Sequence, residues 1–497
     1  MKVIMVMFDT LNRRFLPPYG NSWVQAPNFE RLGTKSVIFN NCYAGSIPCM
    51  PARREIHSGR YNFLHRSWGP LEPFDDSMPQ ILRENGVYSH LVSDHYHYWE
   101  DGGATYHNRY YSWELSRGQE GDFWKGEIND PTIPEHVKIA RETQTIERMG
   151  DTWRQDWVNR KYMNTEEKFP QAKTFRKAME FLKTNYEADN WFLHIETFDP
   201  HEPFYVLEKY RELYSDEYDG PHFDWPDYSI DDTSPEQKEH IRFQYAALIS
   251  MCDHYLGKIL DFIDEKDMWK DTMLIVNTDH GFLLGEKGFW GKILMPDYNE
   301  LVHIPLFIWD PRSKKKNERR NSLVQTIDLA PTILDFFNIE IPTHIQGIPL
   351  KETIASDQKI REAALFGQHG SFVNITDGRY VYMRAPGRKR NRPLFNYTLM
   401  PTHMRNMFTP NELKGMKLQE PFSFTKQCKT LKIKAYNPAG SSYGGKNYLF
   451  DLKTDPHQET PIDNEEIETK MIKLMIQLMK DNDAPDEQYQ RLGLEYK

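Results

Sequence analysis

The chain carries several uninterrupted apolar runs, and the two clearest, residues 3–8 and 273–276, give way to carboxylates at Asp9 and, shortly after the second, at Asp279. A run without polar alternation predicts a strand buried on both faces. Similar runs at 87–92, 191–197 and 304–309 predict further strands. Between them, apolar residues recur at helical spacing. Ala172, Phe175, Met179 and Leu182 mark one helix face, and Ile241, Tyr245, Leu248, Cys252, Tyr255, Ile259 and Ile263 mark a longer one. The longer helix opens at Ser234-Pro235-Glu236-Gln237, an N-cap serine followed by proline and, at the third helical position, glutamine. Shorter helices are predicted at 26–32, at 78–86 and from residue 326. Strands alternating with helices predict an α/β fold on a mostly parallel sheet. Ligands of such sheets bind beyond the carboxyl ends of the strands, which places Asp9, Asp279, His280 and Asp199-Pro200-His201-Glu202-Pro203 where chemistry happens.

Beyond about residue 354 the texture changes. Two short alternating runs around Asp377-Gly378 predict a hairpin. Residues 448–452 predict a later strand, and Ile467, Met471, Leu474 and Leu478 share one side of a closing helix. The expected division is a catalytic domain at 1–354 and a smaller antiparallel sheet plus helix at 355–497. Residues from about 102 to 164, rich in Trp, Tyr, Arg and Glu with little periodicity, are expected to be an insertion over one rim of the sheet. The basic segment 388–392 reads as a solvated loop.

Composition narrows the function classes. The 497 residues are 39% hydrophobic, with a net charge of −10, which argues against nucleic acid as a partner. The four cysteines, Cys42, Cys49, Cys252 and Cys428, are too few for a disulfide scaffold. No stretch is apolar enough for a membrane span, and the run at 3–8 is too short for a signal segment. The expectation is a cytoplasmic protein, with export left open should a leader have been removed.

The candidate chemistry gathers around Cys49, which stands on a turn before a predicted helix favoured by Pro51. Its neighbouring donors would face the positive end of a helix dipole, and Arg53 adds a cation one turn on. The bland alternative is a buried thiol. His95 and His97 follow the strand at 87–92, and His201 follows the strand at 191–197. An imidazole there suits proton transfer, or else packing. Gly288 and Gly291 bend a loop that carries Lys292, a candidate anion-binding cation or a surface lysine.

Cys49-x-Pro51-x-Arg53 resembles the modification motif of formylglycine-dependent sulfatases in the alkaline phosphatase superfamily. So does the order in which other elements appear: Asp9-Thr10-Leu11, Tyr19-Gly20, Pro27-Asn28, Gly59-Arg60-Tyr61, Pro200-His201-Glu202-Pro203, Thr278-Asp279-His280-Gly281 and Gly291-Lys292. The resemblance implies an alkaline phosphatase-like α/β fold, a large mixed, mostly parallel sheet flanked by helices, with a smaller C-terminal α+β domain. It implies that Cys49 is oxidised to formylglycine (3-oxoalanine) by a formylglycine-generating or anaerobic sulfatase-maturating enzyme. Asp9, Cys49, Asp279 and His280 would ring one divalent cation; oxygen ligands favour calcium, with magnesium or manganese as alternatives. One hydroxyl of the hydrated aldehyde would attack sulfur, activated by the metal and Asp279, while Lys292, Arg53 and the cation hold the oxygens. His201 would be the general acid, and His95 or His97 the base that restores the aldehyde.

Two departures stand out. Asp94 lies near the lysine of the family's Lys-x-His pair, and Thr10 replaces a second aspartate, as in the related phosphonate monoester hydrolases. The expected function is hydrolysis of a sulfate monoester of a small molecule or oligosaccharide. The alternatives are a phosphonate monoester or phosphodiester hydrolase with the same site, and a non-catalytic glycan-binding protein on a sulfatase frame.

Overall fold

The computed structural model describes residues 1–137, 146–387, 391–437 and 445–494. Arg388, Lys389 and Arg390 of the basic segment, and residues 138–145 of the predicted insertion, lie outside the described residues.

Lys2–Phe8 lies at the heart of an eight-stranded sheet whose order is Glu318–Arg320, Val37–Phe39, Leu306–Trp309, Thr272–Asn277, Lys2–Phe8, Trp191–Thr197, Tyr88–Ser93 and Ser112–Leu115. The sheet is mixed. Lys2–Phe8 runs parallel to both neighbours, whereas Leu306–Trp309 is antiparallel to the strands on either side of it. Because side chains alternate between faces, the first strand splits the core in two. Val3, Met5 and Met7 join one cluster of buried side chains, and Ile4, Val6 and Phe8 join the other.

Register is what builds the site. Phe8 pairs with Thr197 and Met7 with Asn277, so the three central strands end level. The residues that follow each strand therefore emerge side by side.

The helix Pro235–Glu265 packs on the second cluster, and each residue of its predicted apolar stripe is buried. Its capping box forms as the sequence predicts: the Ser234 hydroxyl accepts from Gln237 N at 3.2 Å, and Ser234 N donates to the Gln237 side chain at 3.0 Å. Among the described residues, no helix is long and apolar enough to cross a membrane.

The segment at 102–164 does more than cover a rim. It adds Ser112–Leu115 to the sheet edge, parallel to Tyr88–Ser93, and carries the helix Ile146–Arg160. In the C-terminal part, Ala364–Gly367, Val373–Thr376, Tyr380–Arg384 and Tyr448–Asp451 form an antiparallel sheet. The closing helix Glu465–Asp481 packs through Met471, as expected, with Met475 and Met479, while the other expected residues, Ile467, Leu474 and Leu478, are only partly buried. Adjacent apolar stripes on one helix cannot be ranked by periodicity, and flexible methionines fill this site instead. A second small sheet, Phe395–Thr398, Thr430–Lys434 and Lys417–Gln419, stands beside it; the alternation in Thr430–Lys434 is its clearest sequence signal.

Replacing Ser234 by Ala removes the cap acceptor and is expected to cost about 1 kcal/mol of stability. Urea denaturation of the two proteins checks this; an unchanged midpoint would mean the cap contributes nothing.

Candidate active site

Cys49 begins the helix Cys49–Ser58 and is buried, behind the cis peptide Ile47–Pro48. The approach to it is clamped. Glu55, nearly two turns along the helix, reaches back to accept from Gly45 N at 3.0 Å and Ser46 N at 2.5 Å. A Cβ on Gly45 would lie 2.5 Å from that carboxylate, so a larger residue there would push the clamp aside. Burial raises the Glu55 carboxyl to about 7.

Asp9, Cys49, Asp279 and His280 converge, with one ligand atom from each all within 4.8 Å of one another. Cys49 Sγ lies 3.2 Å from His280 Nε2 and 4.0 Å from Asp9 Oδ1. Two details orient this group. The His280 Nδ1–H donates to the Gly281 carbonyl at 2.8 Å, which leaves the Nε2 lone pair toward the cluster. Asp279 Oδ1 accepts from His280 N at 2.8 Å and Thr10 N at 3.0 Å. Thr10 stands at φ +64°, a conformation that costs a β-branched residue, and its hydroxyl donates to Asp9 Oδ1 at 2.6 Å. Two carboxylates, a bare imidazole nitrogen and residue 49 fit a divalent cation. The donor set is buried, and its negative charge needs a cation.

Part of that cation is Arg53, which is 2% exposed. Its guanidinium donates to Asp9 Oδ2 and Asp279 Oδ2, both at 2.7 Å, to Glu196, and to the Cys49 carbonyl at 3.1 Å. Arg53 therefore braces the ligand carboxylates as seen here, and its N–H groups are turned to the protein. Glu196 was not foreseen; it sits inside the strand Trp191–Thr197, where an isolated glutamate in a buried run was the available signal.

Lys292 and His201 do reach residue 49. Lys292 Nζ lies 3.4 Å from Cys49 Sγ, 3.3 Å from Thr10 Oγ1 and 2.5 Å from His201 Nε2, which itself lies 3.9 Å from Sγ. The His201 Nδ1–H donates to the Glu202 carbonyl at 2.5 Å. Glu202, a further unforeseen member, has its carboxylate 3.7 Å from Lys292 Nζ and accepts from Tyr228. His95 Nδ1 lies 3.7 Å from Asp9 Oδ2 and its Nε2 lies 3.3 Å from Met50 Sδ. His97 is turned to Glu100, at 2.7 Å. Both histidines are buried, so this stretch is not a surface loop. Asp94 contacts neither residue 49 nor Lys292: it accepts from Phe198 N at 2.7 Å and, with Asp199, from the Gln119 side chain. That pair braces the turn bearing His201.

Burial pushes the Asp9 carboxyl up, but Arg53, with His201, Lys292 and His280, holds it well below the usual carboxylate range. Burial, then Asp9, raises the Cys49 thiol. Burial, then the Lys292 ammonium, holds His201 well below the ordinary imidazole range. Burial works against the Lys292 charge, but residue 49, Glu202, Asp9 and Asp279 outweigh it and raise that group.

A metal-ready cluster at level strand tips, beside Cys49 at a helix start and the Lys292 ammonium, suits the hydrolysis of an anionic ester. The sulfatase family model matches residues 2–339, and the chain belongs to that family, whose members are sulfuric ester hydrolases of the alkaline phosphatase superfamily. The model for the N-sulphoglucosamine sulphohydrolase C-terminal region matches residues 285–419. Among curated relatives, an arylsulfatase of Clostridium perfringens is 21% identical over 453 residues, 83% of this chain and 91% of the relative. An N-acetylglucosamine-6-O-sulfatase of Bacteroides thetaiotaomicron is 23% identical over 405 residues, 72% and 71% of the two chains. Among solved structures, a phosphonate monoester hydrolase of Agrobacterium radiobacter has a TM-score of 0.66 at 17% identity, covering 96% of this chain and 95% of its own.

Arg53→Met leaves buried carboxylates without their cation and is expected to destabilise the protein by about 3–5 kcal/mol in the presence of a chelator. Added calcium should recover part of the loss. Urea titrations with and without the ion check this; equal stability of variant and parent in chelator would refute the bracing role.

Gly281→Ala would set a Cβ 2.1 Å from the Glu300 carbonyl oxygen. The turn bearing His280 must then shift, and cation affinity, read by calorimetry, is expected to fall at least tenfold; an unchanged affinity would refute this.

Proposed function

We propose that the protein hydrolyses a sulfate monoester of a sulfated sugar or an aryl compound, using a formylglycine made from Cys49 and one divalent cation held by Asp9, Asp279, His280 and residue 49. The observation that carries this is the meeting of those four ligand atoms within 4.8 Å, with Lys292 Nζ 3.4 Å from the sulfur. Cys49 Sγ stands where the formylglycine oxygens would be. The carboxylate-rich donor set favours calcium, with magnesium as an alternative, and the imidazole leaves manganese open. The modification requires a maturating enzyme as a partner.

When present, the cation supplies positive charge to the sulfate oxygens and the formylglycine supplies a hydroxyl nucleophile. The chain's own residues do the rest. Lys292, fixed by Thr10 and Glu202, holds a nonbridging oxygen, a role in which a preorganised cation in a dry site is most effective. His201 is held neutral here by burial and by Lys292. A sulfate ester entering between them brings negative charge that favours the imidazolium, so the pair then has a proton for the leaving oxygen. His95, beside Asp9, is better placed than His97 to take a proton in the return step.

A second reading, phosphonate monoester or phosphodiester hydrolysis, is favoured by one observation. Thr10 stands where a second aspartate would be, so the site carries fewer negative charges.

Mass spectrometry of the tryptic peptide holding Cys49, from the native host, should show the aldehyde in place of the thiol. The matured protein should cleave an aryl sulfate faster than an aryl phosphonate, and Lys292→Ala should lower kcat on the sulfate roughly a hundredfold to a thousandfold. Activity with an unmodified thiol would overturn the proposed nucleophile, and faster phosphonate cleavage would establish the second reading.

A further inference from the structure

The loop bearing Lys292 and the approach to Cys49 are distant in sequence, and one short stretch of the C-terminal part holds both. The strand Ala364–Gly367 ends against the residues that lead into the Cys49–Ser58 helix. Gly367 N donates to the Gly45 carbonyl at 2.9 Å, and Ile47 N donates to the Gly367 carbonyl at 3.1 Å. Ser46, three residues before Cys49, is bracketed between these two bonds.

The next residue turns to the lysine. Gln368 is buried, and its amide nitrogen donates to the Lys292 carbonyl at 3.1 Å and to Asp297 Oδ1 at 2.9 Å. A carbonyl and an ionised carboxylate only accept, so the amide can meet both only through its nitrogen, and its orientation follows from the chemistry. The other oxygen of Asp297 accepts from the Asn374 amide at 2.8 Å, and that amide also donates to the Phe366 carbonyl at 3.1 Å. Asp297 is fully buried, and burial raises its carboxyl to about 6 against the hydrogen bonds from Gln368 and Asn374. Taking a carboxylate out of water is costly. What the arrangement secures is a fixed Gln368, held by a charge-assisted bond.

The loop that Gln368 reaches has no regular frame of its own. Lys292 follows the short strand Trp290–Gly291, and 292–298 form neither helix nor strand before the helix Asn299–Val302 begins. Its ammonium nevertheless stands 3.4 Å from Cys49 Sγ. Gly367 and Gln368 therefore fasten the nucleophile side through the main chain and the lysine side through an amide.

We propose that Gln368, oriented by Asp297 and Asn374, is a positioning residue for the hydrolysis: it locks the Lys292 main chain to the strand end that also fixes the approach to residue 49, and so sets where the ammonium stands against the nucleophile. The inference rests on the reading in which Lys292 holds a nonbridging oxygen, and it adds how the C-terminal part takes part in the reaction. Gln368 touches no reacting atom and acts through Lys292.

The test measures kcat and KM of the matured, calcium-loaded enzyme on an aryl sulfate for the wild type, Gln368→Met, Lys292→Ala and the double variant. Methionine matches glutamine in length but donates nothing. Gln368→Met should lower kcat about tenfold and leave KM within about twofold, because a displaced cation fails the transition state more than the ground state. With the ammonium removed there is nothing left to position, so in the Lys292→Ala background Gln368→Met should change kcat by less than about twofold. Asp297→Asn keeps the side-chain shape but turns an N–H toward a donor; it should lower kcat about threefold, with the same loss of effect beside Lys292→Ala. That variant carries the test should Gln368→Met fail to fold. An unchanged kcat, a loss confined to KM, or losses that multiply in full in the Lys292→Ala background would overturn the positioning role. A wild type that cleaves an aryl phosphonate but not the sulfate would overturn the sulfatase reading alone, and the same cycle on the phosphonate then decides the inference. A wild type that cleaves neither would overturn both.

Discussion

Three carboxylates, Asp9, Asp279 and Glu196, are brought together with no exposure to water, and the guanidinium of Arg53 is what makes that arrangement tenable. Like charges at this spacing in a low-dielectric interior repel strongly. A planar group with several fixed donors answers all three at once, which an ammonium could not do as well. The same guanidinium holds the Cys49 carbonyl, so the first turn of the nucleophile helix is fastened to the strand tips by the charge balance of the site. Asp9 is thereby kept ionised, as a metal ligand must be.

The rest of the chemistry hangs on backbone register. Three parallel strands ending level deliver Asp9, the His201 turn and the Asp279–His280 pair to one place. Residues off the sheet then fill in. Lys292 arrives on a loop between positive-φ Gly291 and the Gln368 amide, and Glu202 and Thr10 set its position.

The second small sheet and its neighbours wall a cavity beside the first turn of the Cys49–Ser58 helix, and they contribute nothing to the ligand cluster.

Sequence by itself determined the strands and the chemistry at their ends. Apolar runs at 3–8 and 273–276 mark buried strands, and Asp9, Cys49, Asp279, His280, Lys292 and His201, carried by motifs of fixed local spacing, meet in one site. What only the tertiary structure decided are the partnerships between distant segments. Periodicity can bury Glu196 in a strand but cannot say that Arg53 lies opposite it, nor that Asp94 braces a turn instead of touching residue 49. Of the expected face Ile467, Met471, Leu474 and Leu478, Met471 packs fully, while Met475 and Met479 take the places expected of the others, because neighbouring stripes of one helix are equivalent until a surface is laid against them. Local pattern encodes which face is apolar; long-range packing and charge pairing encode what that face, or that charge, finally meets.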